Sequence, residues 1–480
     1  MTTDRAKKLG EGNIPYLLLT FSVPAIIGTV AQALYYVVDR IFVGQAVGPD
    51  GIAGITVAFP FMLILLAFAM LVGFGATALV SIRLGEQKRN EAEQVLGNAF
   101  SLLVVASVVL TVVGLALLDP LLKAFGASQA VLPFAHDYLK IIVLGSVFQV
   151  VGFGLNAVIR GEGNPRIAMF TLLIGVLLNV VLAPILIFGF GLGMKGAALA
   201  TVASQAVSAV WVLAYFLGGR SLLKLRPANL RWHRPICAAI FALGSPLFVM
   251  QLAASVMNGL LNHQLHDYGG DLAVSAMGII YAVFMMIAMP IFGINQGAQP
   301  IIGYNYGAEN FDRVKRALQT AVAAASAIAL SGFLLTTLFP SQLIRLFSRQ
   351  DEALLDLGTH AMRTCTMMLP LVGFQIVSSS YFQAVGKPRH ALVLSLSRQV
   401  LILIPAVLVL PYFFGLDGVW AAFPTADFTS SLITGVWLFL ELRHLHRRHQ
   451  ENAAPTVPLP SSGPEDRTAT LAPPQLPGID

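Results

Sequence analysis

Twelve times in this sequence the chain stays apolar for as long as a bilayer crossing requires, and that recurrence fixes the fold class before any motif is read. A helix needs about 20 such residues to span the hydrocarbon. The runs fall at 14–43, 52–82, 92–118, 130–159, 167–190, 196–218, 236–264, 271–304, 313–339, 352–384, 390–414 and 418–442. None shows the apolar/polar alternation of a membrane barrel strand, so the spans are helices. Only 11% of the 480 residues are charged, against about 25% in soluble domains. So few charges cannot cover a water-facing surface. The expectation is an all-α polytopic membrane protein of twelve transmembrane helices.

Several runs are longer than a perpendicular crossing needs, which predicts tilted helices or ends that project into water. Pro24, Pro60, Pro184, Pro246, Pro290, Pro370, Pro405 and Pro424 lie inside runs, where each removes a backbone donor and can kink its helix. The net charge of +6 does not point to nucleic acid, because the basic residues gather in the loops. Assigned to sides of a twelve-span topology, they divide 21 against 5. The positive-inside rule then puts both termini in the cytoplasm. Cys237 and Cys365 read as apolar packing residues, the histidines of 444–449 as a solvated basic end, and no metal site is expected.

The two halves repeat. Residues 75–85, GATALVSIRLG, align with 297–307, GAQPIIGYNYG, at an offset of 222 that also pairs Pro24 with Pro246. GNPR at 163–166 pairs with GKPR at 386–389, one residue further on. Six spans per half is an even number, so the halves are parallel repeats about an axis along the membrane normal. The organisation is a cytoplasmic N-terminus (1–13), an N-lobe (14–218), a cytoplasmic linker (219–235), a C-lobe (236–445) and a Pro/Ser-rich tail (446–480) read as disordered.

Polar residues recur on single faces of several spans. The first carries Gln32, Tyr35, Tyr36 and Asp39, the fourth Gln149 and Asn156, the fifth Thr171 and Asn179, the sixth Thr201, Ser204, Gln205 and Ser208. In the C-half the seventh carries Gln251, Ser255, Asn258 and Asn262, the eighth Asn295, Gln296 and Gln299, the tenth Gln375, Ser378 and Ser379, the twelfth Asp427, Ser430, Ser431 and Thr434. Two readings of each stripe stay open: the lining of a polar chamber, or hydrogen bonds between helices. Asp39 is the sharpest case. A carboxylate in a span is costly and by default marks an ion or proton pathway; the alternative is a residue near the helix end that meets interfacial water beside Arg40. Arg398 in the eleventh span needs an anion, and Asp427 is the nearest candidate, as a structural pair or a latch. The methionines of 277–289 are either packing or an adaptable surface for ligands. No catalytic constellation and no phosphate-cradling loop occur, so the chain is expected to be a secondary transporter and not an enzyme, with no cofactor.

The stretches FSVPAIIG with YYVVDRIFVG, IRLGEQKRNEAEQVLGNAF, IRGEGNPRIAM, NQGAQPIIGYNYGA, FQAVGKPRHA, and RQVLILIP with FFGLDGVWAAFPTADF carry a resemblance over about residues 9–442. They resemble the multidrug and toxic compound extrusion (MATE) family, in its MepA-like bacterial branch. The resemblance implies two six-helix lobes around a V-shaped cleft and cation-coupled multidrug export. It implies a role for Asp39 in proton coupling, with Asn179 and Thr201 as polar partners in the same chamber. Many relatives place a second acid four residues after the asparagine; here that residue is Ala183, so any carboxylate mechanism rests on Asp39 alone. No acid stands near the start of the seventh helix, which weakens a sodium site there. The expected substrates are amphipathic organic cations, with the coupling ion H⁺ or, as the alternative, Na⁺. The resemblance further implies a functional monomer in a bacterial inner membrane. The rival reading is a flippase for lipid-linked oligosaccharides, which favours basic residues in the cleft; by sequence the N-half stripes contain none.

Overall fold

The structure is a computed structural model that describes residues 8–347 and 352–453, with the side chains at 36, 37, 49, 255 and 444–453 outside the description. Among the described residues all regular structure is helical. The N-lobe comprises α1 (Ile14–Val47), α2 (Pro49–Gly85), α3 (Arg89–Ala116), α4 (Leu132–Leu144 with Ser146–Gly161), α5 (Pro165–Gly189) and α6 (Gly193–Leu217). A 74-residue helical stretch, Arg234–Gly307, opens the C-lobe. Gly270 divides it, because its φ of 64° leaves the helical region and only glycine adopts that without cost. The divided stretch gives α7 (234–270) and α8 (271–307). There follow α9 (Phe311–Leu338), α10 (Glu352–Cys365 with Leu369–Ala384), α11 (Pro388–Phe414) and α12 (Leu416–Ala453).

Among the described residues eight helices are long and apolar enough to cross a membrane as they stand, and the bent pairs of α4 (54°) and α10 (46°) each complete one more. Dividing Arg234–Gly307 at Gly270 and adding the more polar α12 gives the twelve crossings expected. The outer faces expose apolar side chains such as Val108, Val112, Leu177 and Val210, as suits helices surrounded by lipid.

The prolines act locally. Pro184 cannot donate to the turn before it, and the last turns of α5, Ile185–Gly189, widen into a π-helix. In α11 a second π stretch, Ser397–Leu403, lies just ahead of Pro405 and contains Arg398. Pro370 stands at the start of the second half of α10, where that helix bends.

The lobes meet at the end that bears the basic loops. There α2 crosses α7, α1 crosses α8, and α2 crosses α8, each through glycines whose missing side chain leaves room for a neighbouring backbone. A Cβ on Gly75 would lie 2.1 Å from the Ile240 carbonyl oxygen, one on Gly244 1.7 Å from that of Leu71. Gly297, the repeat partner of Gly75, packs on Ser22, where a Cβ would lie 2.6 Å from the hydroxyl oxygen and 2.8 Å from the backbone nitrogen. A Cβ on Gly85 or on Gly307, also repeat partners, would lie 2.0 Å from the Tyr304 carbonyl oxygen or 2.1 Å from that of Ile82. A clamp closes the same end. The Arg313 guanidinium donates to the carbonyls of Gly12 (2.6 Å) and Leu9 (3.2 Å) and to Asn305 Oδ1 (3.0 Å), tying the segment before α1 to the C-lobe.

The linker is strapped to the N-lobe. Buried Glu93 faces Arg226 (3.4 Å), Asn98 Oδ1 accepts from the His233 backbone (2.9 Å), and Ser101 donates to the Leu230 carbonyl (2.9 Å). Buried Glu162 accepts from the hydroxyls of Tyr215 and Ser221. α12 continues helical to Ala453, and residues 454–480 lie outside the described residues.

Candidate functional site

A cavity of about 420 Å³ lies between the lobes. The N-lobe stripes converge on it: Gln32 and Tyr35 from α1, Gln149 and Asn156 from α4, Thr171 and Asn179 from α5, and Thr201, Ser204, Gln205 and Ser208 from α6. From the C-lobe come Gln251 of α7 and Asn295, Gln296 and Gln299 of α8. Helical spacing explains the convergence, since residues three and four apart share a face. Between the amides and hydroxyls stand Met70, Phe74, Phe148, Phe153, Met250 and Phe292. Of the 277–289 methionines, Met285 and Met289 face the cavity while Met286 is exposed on the outside. An apolar wall set with a few amide and hydroxyl groups suits a flexible range of drug-sized ligands.

The N-lobe wall is wired. Tyr35 Oη and Thr201 Oγ1 share a hydrogen bond of 2.9 Å, and Asn179 Nδ2 donates to the same Thr201 oxygen at 3.3 Å. Asp39 stands one turn beyond Tyr35 on α1, behind the cavity wall and not part of it. Its side chain is buried, and Oδ1 has no hydrogen-bond partner among the described residues. Arg40 lies over the Phe59 ring, 5.7 Å from its centroid. Asp39 is therefore enclosed by its lobe, not merely touching interfacial water. Ala183, in the place of the second acid, is fully buried. Asn179 and Thr201 thus join each other and Tyr35 in one chain of hydrogen bonds.

Some expected residues lie elsewhere. Asn258 does not face the cleft: it is exposed, and its amide turns back to donate to the Ala254 carbonyl at 2.9 Å. The side chains of Tyr36 and Ser255 fall outside the described residues. The C-lobe stripe of α12 also stays out of the cavity and closes inside its own lobe, where Asp427 pairs with Arg398 (Nε–Oδ1 2.5 Å). The Arg398 guanidinium lies 5.9 Å from the Phe284 ring centroid. No group of three or more His, Cys, Asp or Glu poised for a metal occurs among the described residues.

A further residue is assigned wrongly by sequence. Arg160, the residue just past the fourth apolar run (130–159) and so one of the 21 cations placed on the cytoplasmic side, lines the cavity and is 6% exposed. Its signal is present, because it continues the α4 stripe Gln149–Asn156 by one further turn. The N-lobe wall therefore does contain a cation, contrary to expectation.

Two repeated six-helix lobes closed together at one end around a mixed polar and aromatic cavity define a membrane transporter. The MatE family model matches the chain twice, at residues 24–185 and 246–408, with the halves displaced as the repeat predicts. The chain belongs to the MatE family and is a MepA-like transporter rather than an enzyme. It is 28% identical over 404 residues to the multidrug export protein MepA of Staphylococcus aureus (strain MRSA252), covering 84% of this chain and 88% of that one. To MepA of Staphylococcus haemolyticus (strain JCSC1435) it is 28% identical over 409 residues, covering 85% and 90%. Among solved structures, a ligand complex of the MATE multidrug transporter DinF-BH is 42% identical, with a TM-score of 0.84 over 91% of this chain and 97% of that one. The outward-facing conformation of a multidrug resistance MATE transporter of the MOP superfamily gives a TM-score of 0.87 at 26% identity, over 93% and 99%.

Proposed function

We propose that this protein is a multidrug efflux transporter that exports amphipathic molecules, organic cations among them, in exchange for protons, with Asp39 as the coupling acid. It acts as a monomer in a bacterial cell membrane, with both termini cytoplasmic. The observation that carries the reading is Asp39 itself, a buried carboxylate with an oxygen left unpartnered, one helical turn from Tyr35 of the Tyr35–Thr201–Asn179 chain. Burial of an unpaired charge is expensive, and a proton removes that charge. Binding of a proton at Asp39 therefore favours a different packing of α1 against α5 and α6 from its loss. A conformational equilibrium moves only by the difference in ligand affinity between its states. Protonation from outside releases the drug, and the lobes rock back to load another. The interlobe contacts at the basic-loop end support a cavity presently closed toward the cytoplasm.

The test is efflux of a fluorescent organic cation from proteoliposomes under an imposed ΔpH or an imposed Na⁺ gradient. Efflux driven by ΔpH and abolished in Asp39→Asn is expected. Unchanged efflux with unchanged pH response in Asp39→Asn overturns the coupling assignment. Efflux driven only by Na⁺ keeps the exporter and relocates its ion site.

A further inference from the structure

Among the described residues the cavity wall contains no Asp, Glu, Lys or His, and its single formal charge is Arg160. The wall is therefore positive, an unusual lining for a site that takes only cations. Arg160 is also held in place. Asn156 Nδ2 donates to the Ala168 carbonyl at 2.8 Å, which leaves Asn156 Oδ1 to accept from Arg160 Nη1, also at 2.8 Å. Phe74 supports the guanidinium from one side, its ring centroid 5.7 Å away. A guanidinium carries five N–H donors. One is used in that fixed bond, and no carboxylate among the described residues forms an ion pair with Arg160. A buried cation without an anion is costly, and the open side available for compensation is the cavity. The amide nitrogen of Gln299, in the same wall, also has no partner among the described residues.

The repeat supplies an internal comparison. At the offset that pairs GNPR with GKPR, Arg160 corresponds to Gln383, which lines the same cavity from α10. Gln383 is neutral, and its amide donates to the Leu243 carbonyl at 2.6 Å. Two equivalent positions in the two lobes thus face one cavity, one charged and one not. The fold does not require a cation at this position.

We propose that Arg160 is an anion-recognising subsite of the cavity, and that its preferred ligands are amphipathic molecules carrying a carboxylate or comparable small acidic group. The acid lies on the open N–H groups of Arg160 and the aromatic body lies among Phe74, Phe153 and Met70. A planar guanidinium matches a carboxylate with two parallel hydrogen bonds, and a lysine does not. Zwitterionic amphiphiles therefore bind as well as cations, with the acid at Arg160. This rests on the drug-binding role of the cavity proposed above, but not on proton coupling.

The test uses two rhodamine dyes with one ring system, one bearing a free carboxylate and the other its ethyl ester. Their equilibrium binding to purified full-length protein is read by fluorescence polarisation at low chloride, for wild type, Arg160→Gln and Arg160→Lys. The wild type is expected to favour the acid over the ester. In Arg160→Gln that discrimination falls about tenfold or more, the size of a lost charge-assisted hydrogen bond, and Arg160→Lys retains part of it. Equal weakening of both dyes overturns the proposal, as does undiminished preference for the acid in Arg160→Gln, or wild type that binds neither. A measurement without variants guards against misfolding: an alkyl carboxylate and the alcohol of equal chain length compete against the ester dye on wild type. Displacement by the carboxylate at about tenfold lower concentration is expected; equal displacement overturns the subsite. Binding needs no gradient, so a failure of ΔpH-driven efflux with binding intact rejects the coupling reading and leaves this one standing.

Discussion

The N-lobe and the C-lobe treat their buried charges in opposite ways. In the C-lobe Arg398 and Asp427 are joined at 2.5 Å and closed off from the cavity. In the N-lobe Asp39 and Arg160 stand apart, the first without a partner at Oδ1, the second with an amide but no anion among the described residues. A joined pair cancels its own charge and holds helices together. Separated charges depend on something that comes and goes. Asp39 suits a proton and Arg160 suits a ligand. On the proposed function, the working chemistry lies in the N-lobe and the C-lobe serves as scaffold, although both carry one repeated sequence pattern.

The most direct way to break this comparison is to neutralise each acid in turn. Asp39→Asn is expected to reduce ΔpH-driven efflux to the rate of empty liposomes while the purified protein keeps its thermal unfolding temperature in detergent. Asp427→Asn is expected to do the reverse in kind, lowering that temperature because the part-buried Arg398 is left without its anion. Should Asp39→Asn unfold the protein and Asp427→Asn only slow transport, the roles of the lobes are exchanged.

Next in size is the cost of splitting the C-lobe pair. Removing one partner of a buried ion pair costs about 3 kcal/mol, whereas replacing both with apolar residues of similar volume is often neutral. Arg398→Met is therefore expected to destabilise by about that amount, and the double change Arg398→Met with Asp427→Leu to recover most of it. Thermal or chemical unfolding of wild type, the two single variants and the double variant forms a double-mutant cycle. A double variant that folds as well as wild type but no longer transports would turn the pair from scaffold into latch.

The legible part of the molecule follows from periodicity. The twelve spans, the 222-residue offset and the N-lobe chamber are all consequences of apolar runs and of helical spacing, which a sequence displays directly. The break between α7 and α8 is written in Gly269 and Gly270, and the structure places the turn at Gly270. Asn258 is misplaced by sequence because a stripe on a helix shows only that residues share a face, not which neighbour that face meets. Arg160 is misplaced for a different reason. It lies one turn inside a basic loop, and a cation near a helix end reads as topology until the adjoining helices show that it is enclosed. Closure of one end by glycines is invisible for the same cause: crossing points are set by pairs of helices, and no single helix announces them.

Those crossings give a prediction smaller than loss of coupling but specific to the conformational cycle. Gly244→Ala places a methyl carbon almost on the Leu71 carbonyl oxygen, 1.7 Å from it. The lobes must separate there, and the balance should shift toward a cavity open at the basic-loop end. Labelling of a cysteine introduced at Ser81, which is fully buried against Gly303 of α8, is expected to speed up severalfold in Gly244→Ala relative to the parent cysteine variant. No change in labelling shows that α2 and α7 part without opening this end.

The smallest expected effect concerns the clamp that ties the N-terminal segment to the C-lobe. Arg313 makes three hydrogen bonds, two of them to the carbonyls of Leu9 and Gly12. A hydrogen bond from a charged donor contributes about 1.5–3 kcal/mol where buried, and less where water competes. Arg313 is partly exposed, so Arg313→Ala should cost the closed conformation only about 1 kcal/mol, roughly a fivefold change in population. That change alters the rate of transport without altering which dyes are bound, since the clamp lies at the basic-loop end and contributes nothing to the cavity wall. A measured loss of binding selectivity in Arg313→Ala shows instead that the closed end shapes the cavity itself. The contrast between the lobes then rests on how they are held together as well as on the charges each one contains.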